Sequence, residues 1–205
     1  AKGYKKIDNI TYYFDSLTGE FRTGIHYING NEYYYNEYGI MTKIQYMPVY
    51  YSQKDDRWGY ILYGLWTFRS TGCAPTSMAM AFSSILGREI LPTEVANYLF
   101  YNTDEFNKRV AGSSGMAIIY ASRHYNIKCT PLRSKDELIN ALDSGKLVFA
   151  AMGNGKFATT TYNHAIILAK YSNGLTMAYD PLKLENNNWT SIDQVYNEQS
   201  RDPDD

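Results

Sequence analysis

The chain has 205 residues, 44% of them hydrophobic and 20% charged, which is ordinary for a folded soluble protein. Twenty Lys and Arg against 21 Asp and Glu leave a net charge of −1, without the concentrated basic surface that neutralising nucleic-acid phosphates requires. No apolar run approaches the roughly 18 residues of a membrane span. Two cysteines, Cys73 and Cys129, cannot build a disulfide framework, and no Cys/His cluster has zinc spacing, so no metal or other cofactor is expected. The opening Ala1-Lys2-Gly3 has no apolar signal region, which reads as a mature form or an excised piece.

Nine of the 21 tyrosines fall in the first 46 residues, and this skew divides the chain at 1–46 and 47–205. The first part repeats. Ile7 corresponds to Ile28, and Tyr12-Tyr13-Phe14-Asp15 to Tyr33-Tyr34-Tyr35-Asn36, at an offset of 21; Gly19 corresponds to Gly39 after a one-residue deletion. Each unit sets a turn, Asp8-Asn9 or Asn29-Gly30, before a short aromatic strand. Those turn residues tolerate positive φ, so each unit predicts one β-hairpin. A lone hairpin cannot bury its aromatic face, and stacking of such units predicts a solenoid-type module.

From about Pro48 the pattern alternates between helix and strand. Residues 73–86 predict a buried helix closed by Gly87, with Pro75 in its first turn. Residues 92–100 predict a second helix. Residues 114–125 predict a third, with Met116, Ile119, Tyr120 and Arg123 on one face. Ser134 to Glu137 has a capping-box pattern and starts a fourth helix ending near Gly145. Strands follow over 147–152, 164–171 and 175–179, the last two joined by a Ser172-Asn173-Gly174 turn. Helices first and an antiparallel sheet afterwards make the class α+β.

Cys73 opens the first helix, where the dipole and unpaired N–H groups favour thiolate. Gly72 before it removes a side chain where a substrate approaches. A nucleophilic thiol also needs a base and an orienting group. His164 begins one strand and Asp180 follows the next, at the far ends of a predicted hairpin, where a carboxylate can fix the imidazole tautomer. Gln53 and a backbone N–H at Cys73 are candidate donors for an oxyanion. Asn163 adjoins His164 on an extended chain and points the other way. Cys129 reads as buried core in a strand, His26 and His124 as surface or cap residues, and Trp58 and Trp66 as packing near the site.

Two resemblances follow from these residues. The hairpin units over about residues 3–45 resemble cell-wall-binding repeats of the choline- and glucan-binding type. That likeness implies a cell-wall glycan or choline-type ligand between aromatic side chains. The units start Gly3-Tyr4 and Gly24-Ile25 with no tryptophan, so a carbohydrate is favoured over choline. Gln53, Arg57-Trp58, Gly72-Cys73-Ala74-Pro75-Thr76-Ser77, Asn163-His164-Ala165 and Asp180-Pro181 together resemble the bacteriocin-processing, double-glycine-leader branch of the papain-like cysteine peptidases. That resemblance implies Cys73 as nucleophile, His164 as general base, Asp180 as its orienting partner and Gln53 in the oxyanion hole. The pairing of the two parts implies a secreted, cell-wall-associated cysteine peptidase or amidase with peptidoglycan as substrate. The alternatives are a peptidase processing surface proteins, a transglutaminase-like acyl transferase, and a non-catalytic wall- or glycan-binding protein.

Overall fold

The computed structural model describes residues 2–8, 10–15, 18–20, 23–28, 31–35, 41–43, 46–108 and 110–202. It divides into two compact units, residues 1–45 and 46–205.

In the first unit, strand β1 (Gly3–Ile7) pairs antiparallel with β2 (Ile10–Phe14), Gly3 opposite Phe14 and Ile7 opposite Ile10. That register leaves a two-residue connection. Asp8 takes φ +48° in it, the left-handed region that such a turn demands and that a short polar side chain tolerates. Strands β3 (Gly24–Ile28) and β4 (Asn31–Tyr35) repeat the arrangement, Ile28 opposite Asn31, and β5 (Met41–Lys43) extends that sheet to three strands. Ile7 and Ile28 therefore close equivalent strands, and the 21-residue offset is one hairpin. Tyr35 is fully buried, its ring centroid 6.4 Å from that of Tyr13. Tyr12, Tyr13, Phe14 and Tyr33 stay half-buried. Asn9, Asn29, Gly30 and Gly39 lie outside the described residues, as does the side chain of His26.

The second unit begins with a tight hairpin, β6 (Leu62–Tyr63) and β7 (Trp66–Thr67). Helices α1 (Phe68–Thr71), α2 (Cys73–Leu86), α3 (Pro92–Asn102), α4 (Ala117–His124) and α5 (Lys135–Asp143) follow. Then come β8 (Val148–Met152), β9 (His164–Ser172), β10 (Leu175–Tyr179), a 3-10 turn (Leu184–Asn186), β11 (Trp189–Ser191) and α6 (Ile192–Asn197). The four late strands form one antiparallel sheet in the order β11-β10-β9-β8.

Local chemistry explains the boundaries. Gly87 at φ +62° ends α2 in a conformation that glycine adopts without a Cβ penalty. Pro92 opens α3, where its missing N–H costs nothing, and the Glu94 carboxylate accepts the Leu91 N–H at 2.8 Å. Ser134 caps α5 by accepting the Glu137 N–H at 3.1 Å; the Glu137 carboxylate reaches one residue further back than expected, to the Arg133 N–H at 2.6 Å. Helix α4 is shorter than its apolar spacing predicts. It buries Ala117, Ala121 and Ser122, while Met116 and Tyr120 are exposed, because the small residues allow the closer approach to the core. Strand β11 and helix α6 are absent from the sequence reading; both are short.

Strand β9 lies between two apolar clusters. Ala165, Ile167 and Ala169 pack with Met78 and Phe82 of α2, Val95 and Leu99 of α3 and Ala121 of α4. Ile166 and Leu168 pack with Ala178, with Leu138 and Leu142 of α5, and with Ile192 and Val195 of α6. A strand covered on both faces has no polar side to show, which accounts for the unbroken apolar run Ala165–Ala169. The expectation for Cys129 is corrected: it is exposed, in a segment over 127–133 that is neither helix nor strand.

Candidate active site

Cys73 is the first residue of α2, so its N–H has no carbonyl one turn earlier within that helix. The chain reaches it through α1 and a tight junction: the Gly72 N–H donates to Phe68 O at 2.6 Å, and Gly72 O accepts from the Thr76 N–H at 3.0 Å and the Thr76 hydroxyl at 2.7 Å. A Cβ on Gly72 would stand 2.6 Å from Phe68 O and 2.7 Å from two atoms of its ring. Close packing against Phe68, and not clearance for a substrate, is the requirement the structure gives for this glycine. Gly72→Ala is expected to cost about 1–3 kcal/mol through overpacking, measured as a shift in urea midpoint.

One helical turn past Cys73, the buried Ser77 hydroxyl donates to Ala165 O at 3.0 Å. This bond ties α2 to β9 next to His164. Cys73 is half-buried, and the neighbouring His164 side chain favours its ionised form. His164 Nε2 in turn lies 2.7 Å from Asp180 Oδ1, leaving Nδ1 for the sulfur. His164 is 3% exposed and Asp180 0%.

A one-residue irregularity makes the His164–Asp180 contact possible. Across the turn, Asn173 and Gly174 take φ +49° and +80°, and Thr176 stands opposite Tyr171. Lys170, at φ +61°, is then skipped, so Met177 faces Ala169 and Tyr179 faces Ile167. Residues directly opposite share a face of the sheet. Continuing that register sets Asp180 against Ile166, on the side of His164. Without the skipped residue Asp180 would stand against Ile167, and the two side chains would emerge on opposite faces. The Thr176 hydroxyl holds the bulge, bonding to Lys170 O at 2.9 Å and Ala169 O at 3.2 Å.

Asp180 is held from several sides. Its Oδ1 also accepts the N–H groups of Leu182 (2.8 Å) and Lys183 (3.2 Å), and its Oδ2 accepts the Asn186 amide at 2.7 Å. Its own N–H donates to Asn187 Oδ1 at 2.6 Å. Asn186, the bond from Ser77 to Ala165 and the bulge at Lys170 are not predicted by the sequence pattern.

Gln53 is 2% exposed and spans two parts of this region. Its backbone N–H donates to Pro181 O at 2.9 Å, and its Nε2 donates to Arg69 O, four residues before Cys73, at 2.8 Å. One Nε2 hydrogen is left over from that bond, and its Oε1 is buried without a partner. Trp58 braces the same segment: it is buried, and its Nε1 donates to Ser52 O at 2.8 Å. His124 is exposed and stacks on Tyr98 at 3.9 Å between ring centroids.

The electrostatics follow the contacts. Burial pushes the Cys73 thiol up, but the His164 hydrogen bond and charge, with the backbone amides of Ala165 and Ala74, outweigh it and hold the thiol below its ordinary value. Burial likewise disfavours charged His164, yet Asp180 and Cys73 raise it from 6.5 to about 9. Burial disfavours ionised Asp180, and His164, Asn186 and the Leu182 amide together hold it below 3.8. Cys129 goes the other way: partial burial of its sulfur raises it. These directions favour a thiolate–imidazolium pair, whose imidazolium is lost as pH rises through about 9. Alkylation of the thiol is expected to rise through its lowered value and then level off, read as alkylation rate against pH. The raised His164 contributes stability that is full below about 6.5 and fades through about 9, whereas the depressed Asp180 contributes stability that fades as pH falls through its lowered value.

Among the described residues, no helix is long and apolar enough to cross a membrane, and no group of three or more His, Cys, Asp and Glu side chains is placed to hold a metal ion. No curated protein matches the sequence. Among solved structures, choline binding protein F from Streptococcus pneumoniae is 31% identical over 24% of this chain and 16% of its own, with a TM-score of 0.21. CbpJ from Streptococcus pneumoniae TIGR4 is 29% identical over 27% of this chain and 20% of its own, with a TM-score of 0.22. The chain thus spans a fifth or less of those proteins. Residues 47–202, most of the second unit, match the Peptidase_C39 like family, and the chain belongs to that family of peptidase-type hydrolases.

Proposed function

We propose that the chain is a secreted cysteine peptidase or amidase that cleaves peptide or amide bonds of peptidoglycan. In this reading the Cys73 thiolate attacks the scissile carbonyl, and the His164 imidazolium gives its proton to the departing amine. The acyl-enzyme is then hydrolysed by a water that His164 deprotonates. Asp180 keeps the ring turned and stabilises its charge. Gln53 shares the oxyanion with the Cys73 N–H through its free amide hydrogen. The observation that carries the reading is the buried His164–Asp180 pair at 2.7 Å beside a Cys73 thiol whose ionised form His164 favours, at the start of α2. Gln53→Ala is expected to lower kcat by roughly 10²–10³ with little change in KM, measured by initial rates.

The hairpin unit is assigned to wall glycan. Half-buried Tyr12, Tyr13 and Tyr33 offer flat apolar faces with polar tips, which suits sugar rings. Tethering the hydrolase to its insoluble substrate raises effective concentration without adding contacts in the active site. Mass spectrometry of purified wall fragments, digested with the native protein or with Cys73→Ala, tests the substrate. New peptide or amine termini in the native digest alone are expected; identical digests contradict the assignment.

A further inference from the structure

We propose that Asn186 is a positioning residue for the reaction: its side-chain amide fixes the rotation of the Asp180 carboxylate so that Oδ1 stays on His164. The inference rests on the reading of Cys73, His164 and Asp180 as the catalytic group.

A carboxylate on a short side chain turns readily about its last bond, since that torsion is broad. Asp180 is stopped from doing so by donors on both oxygens. The backbone N–H groups of Leu182 and Lys183 and the His164 ring share Oδ1, and Asn186 Nδ2 holds Oδ2 at 2.7 Å. Asn186 is about nine-tenths buried, so water cannot replace its amide cheaply. The loop that carries it is closed on itself. Asn186 N–H donates to Lys183 O at 3.0 Å, and Asn187 Oδ1 accepts the Asp180 N–H at 2.6 Å. Residues 180–187 thus form a cradle whose interior is one carboxylate.

Loss of the Asn186 amide leaves a buried, charge-bearing oxygen without its donor. Without that donor the carboxylate is free to turn, Oδ1 leaves the His164 ring, and the imidazolium loses the oxygen that supports it. The other titratable groups that bear on this pair are Cys73 from α2, Tyr50, and Glu185 on the loop itself. Tyr50 feels the charges of both Asp180 and Glu185. None of them supplies a hydrogen to Oδ2 in place of Asn186.

The test is an NMR titration of the histidine rings in the full chain, with His164 identified as the resonance lost in His164→Ala. The wild-type ring is expected to titrate near 9. In Asn186→Ala it is expected to fall by about one unit or more, a tenfold loss of proton affinity. A folded Asn186→Ala protein, checked by its melting curve, whose His164 titration matches the wild type overturns the proposal. If that variant does not fold, the wild type decides. The Asn186 side-chain amide resonances must move along the His164 titration, and static resonances overturn it equally. Failure of the underlying reading looks different: the wild-type His164 ring itself then titrates at an ordinary value and is insensitive to Cys73→Ser.

Discussion

Cys73→Ala is expected to abolish hydrolysis, with a loss in kcat on the order of 10⁶. Among the described residues, no second cysteine is placed to replace it. Cys129, the only other cysteine, lies on the exposed 127–133 segment with its thiol raised, and the His164 ring turns its second nitrogen toward Asp180, not toward another nucleophile. The fold should tolerate the change. Cys73 is half-buried at a helix start, and alanine is a good helix former, so the melting temperature is expected to stay close to that of the wild type. Comparison of initial rates and melting curves separates this outcome from unfolding.

The second large effect concerns Asp180. Asp180→Ala leaves the His164 ring, the Leu182 and Lys183 amides and the Asn186 amide without their shared acceptor in a buried site. Removing one member of such a group costs about 3–5 kcal/mol of stability. It is expected to lower kcat by about 10⁴, since the ring loses both its orientation and the charge that stabilises the imidazolium. Asp180→Asn separates these two losses. An amide oxygen can keep the Oδ1 position, and Asn186 can turn its own amide to accept from the new NH₂, so the cradle survives while the charge goes. The expected signature is a smaller rate loss, with the alkaline limb of kcat, where the imidazolium must supply a proton, moving down from about 9 toward 6.5. Initial rates across pH for the two variants check both statements.

The local elements were legible wherever a local rule governs them. Gly87, Pro92 and Ser134 mark helix ends by backbone geometry and capping, which neighbouring residues alone decide. Asp8 in the first hairpin and Asn173-Gly174 belong to the same class. The association of Cys73, His164 and Asp180 was legible as residue types in order, but the reason they meet was not. A plain two-residue hairpin from Ser172 to Leu175 would have sent Asp180 to the wrong face. The bulge at Lys170 corrects this, and nothing in Ala169-Lys170-Tyr171 announces a residue at positive φ. The buried face of α4 was not legible for a different reason: periodicity groups Met116, Ile119 and Tyr120 by hydrophobicity, whereas the close approach of that helix selects Ala117 and Ala121 by size. Asn186 escaped notice because its partner is fixed by a loop conformation. Gly72 was assigned to substrate access when its neighbour Phe68, four residues away, already forbids a side chain.

In the proposed mechanism one thiol is ionised by an imidazole that a buried carboxylate supports. The most direct test of that ionisation is brief exposure of the intact protein to iodoacetamide at about pH 6, well below the ordinary thiol range, followed by peptide mapping of the two cysteines. Modification of Cys73 with Cys129 untouched is the predicted result. Equal and slow modification of both, or faster reaction at the more accessible Cys129, would contradict it.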